Sequence, residues 1–137
     1  IMKNKVHLVL IQKDDKINLF GKEVNCDLKN RIFQSKEKIK IQALFFNLES
    51  KGFKLHQDQG DNLLTFHEAF FVQNNDQDSK SYGKADLIIY KSSSDVLTLV
   101  GSAEIKFDSF TLKAKEIVYN YKTKTIVSSK RSRMFNT

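Results

Sequence analysis

The stretch Asp95 to Phe107, DVLTLVGSAEIKF, decides the fold. Leu97, Leu99, Gly101, Ala103, Ile105 and Phe107 fall on alternate positions, with Thr98, Ser102, Glu104 and Lys106 between them. Successive side chains of a strand point to opposite faces, so this alternation makes one apolar face and one polar face. The helical period of about 3.6 residues would scatter the same side chains around a cylinder. The segment is read as a half-buried strand. Asp108-Ser109 follows as a turn, and Phe110, Leu112 and Ala114 then resume the alternation, which predicts a hairpin.

Self-comparison extends this reading over the chain, because two patterns recur. Asp15, Ile17, Leu19, Gly21 repeats as Asp95, Leu97, Leu99, Gly101, with a looser copy at Asp61, Leu63, Thr65, His67, Ala69, Phe71. The second pattern has apolar residues at two-residue steps up to an Ala, then a three-residue step. Its copies are Ile39-Ile41-Ala43-Phe46-Leu48, Gly83-Ala85-Ile88-Tyr90 and Phe110-Leu112-Ala114-Ile117-Tyr119. A three-residue step throws later side chains onto the wrong face unless a bulge or bend absorbs one residue. Each copy is therefore expected to bend its strand at a matching place, which predicts an all-β chain of stacked antiparallel strands with one repeated apolar inner face. Residues 22 to 38 fit less well. Val24, Leu28, Ile32 and Phe33 are their only anchors, and a strand followed by a loop is expected there, with two poor strands or a short helix as alternatives. Asn74 to Lys80 reads as a surface loop.

Composition sets the outer limits. The 137 residues suit one domain, and with 40% hydrophobic residues and eleven Phe the chain is too apolar and aromatic for disorder. One domain over residues 1–137 is expected. The formal charge of +7 favours anionic partners without choosing among nucleic acid, an acidic membrane surface and a phosphorylated glycolipid. Cys26 is alone, so no intrachain disulfide forms. No apolar run approaches the roughly 18 residues of a membrane helix. Met2-Lys3-Asn4-Lys5 imitates a signal-peptide opening but lacks the apolar core and cleavage site, so Ile1 onward reads as a mature or trimmed chain.

The wording Ala-x-x-Ile-x-Tyr from Ala85, then Leu-x-Leu-x-Gly-x-Ala-x-Ile from Leu97, then a second Ala strand from Ala114 resembles the OstA-like family of lipopolysaccharide-transport proteins. The resemblance spans about Asp15 to Ser129 and is nearest the LptA-like periplasmic bridge branch, with the membrane-anchored LptC-like branch an alternative. It implies an open antiparallel β-jellyroll, a folded-over sheet whose apolar interior shields the acyl chains of lipopolysaccharide or a related envelope glycolipid. It also implies a periplasmic location and same-fold transport partners joined end to end by strand pairing.

The inner-face residues expected to meet acyl chains are Ile17, Leu19, Ile41, Phe46, Leu48, Leu63, Phe71, Ile88, Tyr90, Leu97, Leu99, Ile105, Phe107, Leu112, Ile117 and Tyr119. Lys84, Lys106, Lys113 and Lys115 are placed at the rim, where phosphates would sit. No enzyme, metal or cofactor is expected: His7, His56 and His67 have no ligand spacing, Asp14-Asp15 reads as a solvated turn beside lysines, and no nucleotide or nucleophile motif occurs. The Lys130-Arg131-Ser132-Arg133 tail leaves a basic nucleic-acid-binding β-domain as one alternative and a ligand-free interaction domain as another. Against the first, Tyr90, Tyr119 and Phe107 alternate with the interior set and are not expected to form a stacking platform. The edges predicted to pair with another chain, including a head-to-tail copy, are Val6 to Ile11 and Ile117 to Val127; neither contains proline.

Overall fold

The computed structural model describes residues 5–11, 16–58, 61–73, 81–107, 110–128 and 132–136, with the side chains of Asp58, Phe107 and residues 132–136 outside that description. The turn expected at Asp108-Ser109, the loop at Asn74 to Lys80, the carboxylates Asp14 and Asp15, and Lys130 and Arg131 also lie outside it. Thirteen strands and no helix occur among the described residues.

Four long strands form the centre: β8 (Asp61–Gln73), β9 (Tyr82–Lys91), β10 (Val96–Phe107) and β11 (Phe110–Asn120), paired antiparallel in chain order. Each bends at an alanine. Ala69 faces Ala85 and Ala103 faces Ala114 across their ladders, and Glu104 opposite Lys84 puts Ala103 beside Ala85, so four buried alanines form one row across the sheet. On β9 and β11 the expected three-residue step separates that row from the next inward residues, Ile88 and Ile117. On β10 a bulge between Val100 and Ala103 inserts an extra residue against both neighbours. Gly101 and Ser102 in that bulge have φ of 82° and 48°. A left-handed φ favours glycine, and a Cβ on Gly101 would stand 2.7 Å from an Asp86 carboxylate oxygen, so both conformation and space require it.

The bend divides the sheet into two halves that face each other. One half continues outward from the Phe70–Gln73 end of β8 through β6 (Phe46–Ser50), β5 (Ile39–Gln42), β2 (Lys16–Gly21) and β1 (Val6–Ile11). The other continues from the Asp61–Phe66 end through β7 (Phe53–Asp58), β4 (Ile32–Ser35) and β3 (Asn25–Asp27). At the far side β13 (Ser132–Asn136) and β12 (Thr125–Ser128) pair with the first and last parts of β11, one in each half. The inward residues of both halves merge into one hydrophobic cluster. The all-β stack of antiparallel strands expected from the alternation, and the open jellyroll implied by the family resemblance, are what the chain forms.

Three local expectations change. Residues 39–48 are not a bent strand but a hairpin, with Ile41 opposite Leu48 and the Ala43 amide donating to the Phe46 carbonyl at 3.0 Å. A bend and a tight turn both consume an odd residue, and apolar Leu44-Phe45 at the tip gives no turn signal. Residues 22–38 hold two short strands, β3 and β4, around an Asp27 turn. There the Asn30 amide and side chain donate to the Asp27 carboxylate at 3.1 and 2.8 Å, and these bonds hold its pKa below the ordinary value. Leu28 lies exposed in that turn and anchors nothing. The Ile117 to Val127 edge is a hairpin in which only β12 is free on one side.

Candidate functional site: the folded interior

The interior follows from strand parity. On β2 Ile17 and Leu19 point inward, on β5 Ile41, on β6 Phe46 and Leu48, and on β8 Phe71. Ile88 and Tyr90 of β9, Leu97, Leu99 and Ile105 of β10, and Leu112, Ile117 and Tyr119 of β11 complete the expected set, all of them buried. Leu63 does not belong. It is 41% exposed, and Leu64 and Phe66 take the inner positions instead. The copy beginning at Asp61 was aligned on the wrong parity: β8 steps by three from Phe66 to Ala69 across His67 and Glu68, where φ reaches 45° at Glu68. The register with β9 is unbroken there, Phe66 facing Ile88 and Ala69 facing Ala85, so both strands take the three-residue step together and the inward face changes parity between the two ends of β8. The side chain of Phe107 lies outside the described residues.

The set expected to meet acyl chains omits several inner residues. Phe53 and Leu55 alternate on β7, Ile39 opens a repeat copy, and Val24 and Tyr121 fill the two ends; all are buried. Alternation at Phe53-Leu55 was the available signal. Tyr121 had none, since it leaves β11 in a turn.

The halves meet across the interior through aromatic rings. Phe71 stacks on Tyr119 with centroids 5.8 Å apart, and Phe46 meets Tyr90 and Tyr121 edge-on at 6.0 and 5.3 Å. A buried polar chain accompanies them. The Tyr119 hydroxyl donates to the Gln73 side-chain oxygen, and the Gln73 amide donates to the Tyr121 carbonyl at 3.2 Å. The Tyr121 hydroxyl donates to that of Tyr90 at 3.3 Å. Burial pushes the Tyr119 hydroxyl up to about 12, keeping it a neutral donor. Space here is tight: a Cβ on Gly83 would come 2.4 Å from the Phe71 ring.

The long half stacks nine strands from β1 to β13. Eight of these, β1 to β11, contribute described inward side chains, and at about 4.8 Å per strand they give an apolar path of roughly 34 Å. Among the described residues each end is flanked by two strands that pair on one side only, β1 and β3 at one end and β12 and β13 at the other. The lysines placed at the rim stand outside. Lys84 pairs with Glu104 at 3.4 Å, Lys106 lies over the Tyr82 ring at 5.9 Å, and Lys113 and Lys115 are exposed on β11. Among the described residues no three His, Cys, Asp or Glu side chains group as metal ligands. Tyr90 and Tyr119 are fully buried, so neither offers a ring for a base to stack on.

The fold has a solved relative, described as LptH, the LptA-homologous periplasmic component of the lipopolysaccharide transport device of Pseudomonas aeruginosa. It is 16% identical, with a TM-score of 0.77 over 88% of this chain and 93% of that one. At that identity the likeness speaks for the fold alone. Comparison with curated proteins gives no match. The family described as LptA/(LptD N-terminal domain) LPS transport protein matches residues 8–125, the whole span from β1 to the start of β12. The chain therefore belongs to the LptA and LptD N-terminal family of lipopolysaccharide-transport proteins.

Proposed function

We propose that this protein works in the periplasm, where it shields the acyl chains of lipopolysaccharide or a closely related envelope lipid inside its folded sheet and forms one link of a bridge between the two membranes. The observation that carries this reading is the single apolar cluster continuous from β2 to β11, flanked at both ends by half-paired strands. Family membership supports the transport role, and the solved periplasmic relative supports the compartment.

In the described state the inner side chains close on one another. A lipid enters by parting the halves, exchanging side-chain contacts for contacts with methylenes. Each methylene taken from water contributes about 0.8 kcal/mol, so a few acyl chains offset the loss of the aromatic contacts and of the Gln73 hydrogen bonds. No chemical step takes part. Direction along the path comes from a neighbour that hands lipid over and another that receives it, each joined through an edge strand. Mass spectrometry after gentle isolation from the native envelope tests the reading. Lipopolysaccharide or its precursor is expected in stoichiometric amount, and consistently lipid-free protein would count against it.

A further inference from the structure

A second concavity opens at the β1–β2 edge, outside the folded interior although Val6 of the interior cluster reaches its wall. His7 of β1 stands opposite Phe20 of β2, which stands opposite Lys40 of β5. Lys5, Lys22 and Lys38 lie just beyond the ends of these ladders, next to β1, β2 and β5 respectively. These six side chains line one cleft of about 570 Å3 with Glu37, and Glu23 joins Lys5, Lys22 and Glu37 around the adjoining cleft. Its floor is flat and apolar: the His7 and Phe20 rings stack at 4.4 Å, 15° from parallel, and His7 is fixed by Asn18 at 2.9 Å.

The lysines are not spent on ion pairs. Lys40 reaches Glu49 at 3.9 Å, whereas Lys5, Lys22 and Lys38 make no ion pair among the described residues. Three ammonium groups gathered around one cleft repel each other, and an anion that meets several of them at once relieves that repulsion. A phosphate accepts hydrogen bonds from several ammonium groups, and the ring pair beside it suits a flat or apolar framework attached to it. We propose that this cleft is a phosphate-binding site, with Lys5, Lys22 and Lys38 holding the phosphoryl oxygens and the His7–Phe20 stack seating the group that carries them. The site is independent of the interior, so a protein that holds acyl chains inside and no phosphate outside defeats this inference and leaves the transport reading standing.

The test is a titration of the whole chain, followed by backbone amide NMR, with inorganic phosphate in one arm. In the other, the chain is sedimented with phosphatidylcholine vesicles with and without phosphatidylglycerol. Shifts centred on His7, Phe20, Gly21 and Lys22 identify a free phosphoryl ligand. Binding only to the phosphatidylglycerol vesicles identifies a lipid-borne one, and either supports the site. The double variant Lys22→Glu/Lys38→Glu is expected to weaken that binding roughly tenfold or more without lowering the melting temperature, whereas Lys115→Glu on β11 leaves it within about twofold. Absence of binding in both arms, shifts centred elsewhere in the wild type, or equal losses in the double variant and Lys115→Glu would overturn it.

Discussion

A carboxylate at position 99 and one at position 63 meet opposite surroundings, although both leucines sit in alternating apolar runs. Leu99 is fully buried between Ile88 and Ile117, and Asp there is a charge without a partner. Leu99→Asp is expected to cost about 3 kcal/mol or more, and Leu63→Asp on the outer face within about 0.5 kcal/mol, measured by denaturant unfolding. Gly83 gives a steric counterpart. The Phe71 ring occupies the place a Cβ would take, so Gly83→Ala overpacks the interior and is expected to lower stability by about 1–3 kcal/mol. Tyr119 makes the interior sensitive to alkali. Its hydroxyl is pushed up to about 12, so between pH 10 and 12 the unfolded chain loses this proton while the folded chain keeps it, and stability falls as pH rises through that window. The two-unit shift corresponds to about 3 kcal/mol at most. Tyr119→Phe lacks this term. It should be less stable than wild type at neutral pH by about 1 kcal/mol for the lost hydrogen bond, and the gap should close or reverse by pH 12 in thermal melts.

At the scale of elements, what decided legibility was whether a strand kept its parity. β10 was readable because its bulge contains a glycine and the alternation resumes on the same side, from Leu99 to Ala103. β9 and β11 were readable because their three-residue steps recur with the same Lys-Ala wording. β8 was not: its parity changes at His67-Glu68, neither of them glycine, so Leu63 looked like an inner residue and Phe66 like an outer one. The β5–β6 turn was hidden for a related reason, since apolar Leu44-Phe45 carries no turn residue and its odd spacing imitates a bend. Most of the candidate interior was thus visible as a repeated set. The residues that fill its ends, such as Val24 and Tyr121, depend on where loops return, which local spacing does not encode. β1 offers a test at this scale. Val9 points outward on a strand that, among the described residues, pairs only with β2. A lysine on an edge opposes the addition of another strand. Val9→Lys is expected to reduce end-to-end association in light scattering over a concentration series while leaving the melting temperature within a few degrees of wild type.

For the whole molecule, the folded sheet encloses one apolar interior and, among the described residues, still ends in half-paired strands. A closed barrel would leave no strand free to continue into a neighbour. Its size follows the same logic: the bend at the alanine row lets a single sheet cover its own inner face, so no second layer has to be supplied from elsewhere. The outer surface carries Lys5, Lys22 and Lys38 near β1 and Lys124 in the turn before β12, where Lys122 is paired with Asp95 at 3.2 Å, so net positive charge stands at both ends. A neighbour with acidic flanks therefore fits either end better than a second copy does, and association with such a same-fold partner is expected to exceed self-association, most clearly at low ionic strength. The central claim, that acyl chains lie inside the fold, is tested most directly by site-specific photocrosslinking to lipopolysaccharide in variants confirmed as folded by thermal melting. A photoreactive residue at Leu99 or Ile117 is predicted to capture the lipid and one at Leu63 to capture none. Capture at Leu63 with none at the two buried positions would contradict it.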